Sequence, residues 1–135
     1  MAKFVLNNAS VTLNSVDLSD HVSSVTLDIT ADEIVTTAMG DTFQSRTGGL
    51  KDGTLSIEFH QDFASSEVDA TLFPLLDTTT AFIVKADAGS TSATNPAYSG
   101  NVLVNQHLPV ANGVGELATM SVAFPTSGTI TRATS

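Results

Sequence analysis

Residues 54–61 read "TLSIEFHQ", and their alternation decides the fold class. Leu55, Ile57 and Phe59 are apolar while Thr54, Ser56, Glu58 and His60 are polar, a period of two that places one set on a core and the other in water. That is the pattern of a half-buried antiparallel strand. Val25, Leu27 and Ile29 alternate with Thr26, Asp28 and Thr30 in the same way, as do Met120, Val122 and Phe124 with Thr119, Ser121 and Ala123. Shorter runs, "KFVLN", "SVTLN", "AFIVKA" and "NVLVNQHL", bring the expectation to about eight strands, separated by turn signals such as "MGD", "KDG", "TNPAYSG" and "PTSG". Short strands at this spacing predict a mainly β chain, an antiparallel sandwich or barrel.

Two stretches break the pattern. In "DFASSEVDATLFPLL", residues 62–76, Val68, Leu72, Leu75 and Leu76 fall on one helical face, and Glu67 and Asp69 sit where a helix N-terminus favours carboxylates. A short helix over residues 65–76 follows, capped by Ser65 or Ser66 and bent or ended near Pro74. So short a helix is unstable alone and must lean on the sheet, closing one open edge. The second stretch is "TTAMGDTFQSRTGGLKDG", residues 36–53, expected as a long inter-strand loop ahead of a strand starting at Thr54. It carries apolar Met39, Phe43 and Leu50 together with Arg46 and Lys51, which suits either a contact with an acidic neighbouring subunit or a hairpin folded on its own domain.

Composition bounds the rest. At 135 residues the chain fits a single domain over 1–135, able to bury about two-thirds of its unfolded surface. With no Cys there is neither a disulfide framework nor a thiolate site. The longest apolar runs, "FVL" and "FIV", predict a soluble chain without membrane insertion. Fourteen acidic against five basic residues give a formal net charge of -9, and Lys3, Arg46, Lys51, Lys85 and Arg132 are scattered rather than clustered, which argues against binding to a phosphate backbone.

Catalytic patterns are not found. His21, His60 and His107 are expected on different strands, on solvated faces, without metal-ligand spacing; His60 lies near Glu58 and Asp62. Asp28, Asp32 and Glu33 in "DITADE" lack the order of a calcium loop. No phosphate-cradling glycine loop and no nucleophile elbow occurs. The residues predict no enzyme.

The segments "LNSVDLSDHVSSVTLDIT", "GDTFQSRTGGLKDGTLSIEFHQDF", "VDATLFPLL" and "SATNPAYSGNVLVNQHLPVANGVGELATMSVAFPTSGTITRAT" resemble, in order and composition, the tail tube proteins of long-tailed bacteriophages, especially those infecting actinobacteria. The likeness departs at Gly53, where several relatives carry an aromatic. The family's domain is similar to the type VI secretion tube protein, a β-sandwich or barrel with one helix. The resemblance implies a structural virion protein of the phage tail, without a cofactor, that self-assembles into stacked hexameric rings. These form a hollow tube joined to tape measure, tail terminator and distal tail proteins. It further implies that Met39, Asp41, Phe43, Arg46, Leu50, Lys51 and Asp52 contact an adjacent subunit or ring, and that Val68, Leu72, Leu75 and Leu76 pack the helix near the subunit boundary. Strand-face acids such as Asp28 and Glu58 would face a lumen through which phage DNA slides without specific binding. The rival reading is a capsid decoration protein or head-to-tail connector; a cellular binding module fits less well, because the chain has no Trp and a single Tyr98.

Overall fold

The computed structural model describes residues 8–65, 67–110 and 112–134. Its elements run β1 (Ser10–Leu13), β2 (Val16–Asp17), a 3-10 turn (Ser19–His21), β3 (Val22–Val35), β4 (Arg46–His60), α1 (Val68–Leu72), β5 (Thr78–Lys85), β6 (Ala97–Val104), β7 (Thr119–Pro125) and β8 (Thr131–Ala133). The expected strand "KFVLN" lies outside the described residues. Five strands form one antiparallel sheet in the order β2-β1-β5-β6-β8, and three form a second in the order β3-β4-β7. Two antiparallel sheets with one short helix match the fold class that the alternation predicts.

The two sheets face each other across one core. Leu55, Ile57 and Phe59 pair in register with Phe124, Val122 and Met120, so both strands turn their apolar sets the same way. They meet Val11 and Leu13 of β1, Phe82 of β5, and Val102 and Val104 of β6, all buried. The β1–β2 turn is made by Asn14 and Ser15, both at positive φ (51° and 65°), the backbone a two-residue type I′ hairpin demands.

The helix is shorter than its sequence spacing suggests. α1 covers Val68–Leu72 rather than 65–76, and its N-cap is Glu67, whose side chain makes no capping bond. Ser65 does not occupy the cap, and Ser66 lies outside the described residues. Val68 and Leu72 are fully buried and Leu75 packs partly against the core, but Leu76 is 41% exposed. The reason is Pro74, which has no N–H for the carbonyl of residue 70; past it the chain turns through i→i+3 bonds, Leu75 to Leu72 and Leu76 to Phe73, and the helical face loses its phase.

Candidate assembly surface

The largest departure from expectation lies between β3 and β4. Residues 36–53 are not one loop: β4 begins at Arg46, and β3 and β4 pair from Val22 opposite Phe59 out to Val35 opposite Arg46. Only 36–45 connect them. The strand pair is therefore a long hairpin that outgrows its sheet, because β7 accompanies β4 only from Thr54 to His60. From Asp28 to Asp52 every residue except Gly49 is exposed. An isolated two-stranded ribbon is only marginally stable in water, and beyond Thr54 no third strand among the described residues supports this one.

The backbone of the ribbon is shaped locally. Its register shifts between Ala31 and Glu33, where Gly49 and Leu50 of β4 oppose Asp32 alone, a β-bulge that bends and twists the hairpin. At the base, a β-carbon on Gly53 would lie 2.8 Å from Ile130 Cδ1 and 3.1 Å from the Asp28 carbonyl oxygen, so this position has no room for an aromatic side chain.

The expected contact residues all lie on the projection, but they are not equivalent. Met39, Phe43 and Leu50 are 104%, 86% and 83% exposed, an apolar set that none of the described residues covers. Asp41 caps the tip by accepting the Ala38 N–H at 2.8 Å, and Asp52 accepts the Gly53 N–H at 2.8 Å. Arg46 is engaged inside the hairpin: its Nε donates to Glu33 Oε1 at 2.7 Å and its Nη2 to Gln44 Oε1 at 2.8 Å. Lys51 stands opposite Ala31 on an exposed stretch, without an ion pair among the described residues.

Two further surfaces adjoin the hairpin. The first is the outer edge of β3, which has no strand neighbour among the described residues. Beneath it opens an apolar cleft of about 550 Å³, lined by Val25, Leu27 and Ile29 of β3 together with Val84 and Tyr98 of the other sheet. The second is the outward face of β3-β4-β7. Register puts Ser24, Thr26, Asp28 and Thr30 beside Glu58, Ser56, Thr54 and Asp52, with Thr119, Ser121 and Ala123 of β7 beyond. The positions named carry three carboxylates and no Lys or Arg. Asp28 and Glu58 share this face and Asp52 joins them, an acid that starting the strand at Thr54 leaves out.

Two solved structures share this architecture. A chain from the virion of a native gene transfer agent particle superposes with a TM-score of 0.74 at 11% identity, over 93% of this chain and 95% of that one. A chain from the tail of an empty gene transfer agent particle, computed with helical refinement in C6 symmetry, gives 0.65 at 12% identity, over 82% and 81%. Fold is what they share. No protein-family model and no curated protein matches the chain.

Two of the three histidines, His21 and His107, depart from the expected solvated strand faces. His107 follows β6, its side chain only 2% exposed, with Nε2 at 2.9 Å from Asp69 Oδ1. His21 ends the 3-10 turn at 16% exposure, its Nε2 2.8 Å from Asp62 Oδ2 and its Nδ1 2.8 Å from Asp20 Oδ1 and 3.2 Å from Glu67 Oε2. Burial is the strongest influence on the His21 imidazole and would lower its pKa. Hydrogen bonds to Asp62 and Asp20, with the charges of Asp20 and Glu67, outweigh it and hold the pKa above the ordinary value. The Ala64 N–H and the His21 bond hold the Asp62 carboxyl below its usual range, and the Ser19 hydroxyl and N–H do the same for Asp17. Only His60 lies on the outward face of β4, opposite Thr119.

Proposed function

We propose that the chain is the structural subunit of a phage-like tail tube, in which copies join as hexameric rings and stack into a hollow conduit for DNA. The observation that carries this reading is the β3–β4 hairpin, a ribbon of paired backbone that projects beyond its sheet with Met39, Phe43 and Leu50 uncovered at and behind its tip. A subunit that works alone has no use for such an element, and a subunit that stacks needs one. The fold likeness to chains of a gene transfer agent virion and of a C6-symmetric tail supports the same reading.

The three surfaces then divide the work. The hairpin, through Met39, Phe43, Leu50 and Lys51, reaches an adjacent subunit or ring. The free edge of β3 and the cleft beneath it meet a neighbour within the ring, with α1 bracing the flank through Val68 and Leu72. The outward face bearing Asp28, Asp52 and Glu58 lines the lumen, where carboxylates and hydroxyls deny phosphates the Lys and Arg contacts that would arrest sliding DNA. The role is structural rather than catalytic, in the tail of the particle.

Negative-stain electron microscopy of the purified protein over a concentration series tests this. Six-fold rings or hollow tubes are the expected particles. Monomers or trimers at every concentration, persisting after seeding with preformed tail tips, would replace the tube with the decoration or connector role.

A further inference from the structure

Where the 3-10 turn enters β3, four side chains from separate parts of the chain converge. Asp20 and His21 lie in the turn, Asp62 in the segment leaving β4, and Glu67 at the N-cap of α1. One ligand atom each from Asp20, His21 and Glu67 falls within 4.8 Å of the other two. We propose that these three residues form a binding site for a divalent transition-metal ion, zinc by preference, and that Asp62 orients the imidazole that completes it.

The two ring nitrogens of His21 take different partners. Nε2 faces the Asp62 carboxylate at 2.8 Å, and Asp62 is itself held by the Ala64 N–H at 2.9 Å. A proton on Nε2 satisfies that contact, so a metal ion has only the proton of Nδ1 to displace to gain a lone pair there. Nδ1 then faces two carboxylate oxygens at once, Asp20 Oδ1 at 2.8 Å and Glu67 Oε2 at 3.2 Å. A single N–H on Nδ1 directs itself at one acceptor well, whereas a metal ion coordinates both oxygens and the nitrogen together. A carboxylate on the far nitrogen of a metal-binding imidazole is the recurrent arrangement that fixes tautomer and ring orientation and raises ligand basicity.

The distances fit. With zinc–ligand bonds near 2.0–2.2 Å, tetrahedral ligand atoms stand about 3.4 Å apart. From 2.8 and 3.2 Å, the separations at Nδ1 open by about 0.6 Å toward Asp20 and about 0.2 Å toward Glu67 to admit the ion. Charge also fits: the group is three carboxylates around one imidazole, and among the described residues no Lys or Arg pairs with Asp20, Asp62 or Glu67. Asp20, 78% exposed, leaves an entry path and an open fourth position for water. One imidazole with hard oxygens suits zinc or manganese rather than a thiophilic ion. Bound there, the ion would tie the start of β3 to the start of α1, fastening the short helix to the flank of the sandwich. This site stands independently of the tube reading.

The test is calorimetric titration of Zn²⁺ alone into the full chain after chelator treatment and dialysis, with Co²⁺ as a spectroscopic probe. One ion per chain is expected, with a Co²⁺ absorption band characteristic of low coordination number. Glu67→Gln, which leaves the His21 contacts to Asp62 and Asp20 in place, should weaken binding at least tenfold, and Asp62→Asn by roughly 10- to 100-fold, with unchanged circular dichroism. His60→Ala should bind as the parent does. No saturable binding, or binding that Glu67→Gln and Asp62→Asn leave unchanged, overturns the assignment.

Discussion

Replacing Phe43 by Ala separates a side chain kept for assembly from one kept for folding. Phe43 is 86% exposed in the subunit, so the truncation removes almost no buried surface, and the free chain should keep its stability within about 0.5 kcal/mol. If the neighbouring copy covers the ring, its burial contributes about 1.5–3 kcal/mol at that contact. At roughly 1.4 kcal/mol per tenfold in equilibrium constant, losing it raises the concentration at which rings or tubes appear by about 10- to 150-fold. Sedimentation velocity across a dilution series measures that threshold, and urea denaturation of the dilute protein measures the subunit. Phe59→Ala is the contrasting control: Phe59 is 0% exposed, and its loss should cost the subunit about 3–5 kcal/mol. Two results would refute the reasoning. An assembly threshold unchanged within twofold removes Phe43 from the interface, and a subunit destabilised by more than about 1 kcal/mol shows the ring packing on its own chain.

Other perturbations test separate steps. Gly53→Ala forces a methyl against Ile130 Cδ1 at 2.8 Å and the Asp28 carbonyl at 3.1 Å, so the urea midpoint should fall by the equivalent of about 1–3 kcal/mol; an unchanged midpoint would mean the base of the hairpin yields freely. Because Ser19 holds the Asp17 pKa below its ordinary 3.8, Asp17 contributes stability above that value and loses it as pH falls through the lower folded value. Asp17→Asn should therefore flatten the acid limb of the stability profile below about pH 4 and leave it parallel to the parent near neutrality; a parallel acid limb would count against the shift. Asp28→Lys with Glu58→Lys reverses two charges on the outward face at surface positions, at a cost of no more than about 0.5 kcal/mol each. Assembled particles of this variant should retain duplex DNA on co-sedimentation at about 50 mM salt and release it at about 200 mM, whereas the same retention by the parent would contradict the repulsive lumen.

The strands that sequence reading finds are those with one wet and one dry face. β4 from Thr54 to His60 and β7 alternate because a core lies on one side only, and alternation is the imprint of that asymmetry. The outer hairpin has no such imprint: both faces of Arg46–Gly53 are largely exposed in the subunit, its sequence "RTGGLKDG" carries three glycines, and nothing in it separates a strand from a loop. The helix is overread for the opposite reason, since Leu75 and Leu76 continue the right spacing beyond the point where Pro74 has ended the helical backbone. The His21 group was out of reach for a third reason. Asp20, Asp62 and Glu67 are brought together by strand register and by the path of the chain around α1, and the only local trace is the adjacent Asp20–His21 pair.

A long strand edge without a partner is a hazard for any chain in water, and among the described residues no strand pairs with the outer side of β3. The acidic balance bears on that hazard. Asp28, Asp32 and Glu33 lie along β3 itself, and the chain's formal net charge of -9 makes copies repel at a distance. A single stray edge contact must overcome this repulsion on few hydrogen bonds. A docking that seats edge, cleft and hairpin together adds apolar burial to the backbone pairing, and this burial does not weaken with the charge. The same charges therefore penalise partial contacts more than complete ones. In the proposed ring, closure leaves no edge within the layer for a further chain to join, while the hairpins remain free to engage the next layer. Growth is thereby directed along one axis, which is what separates a tube from an aggregate built of the same strands.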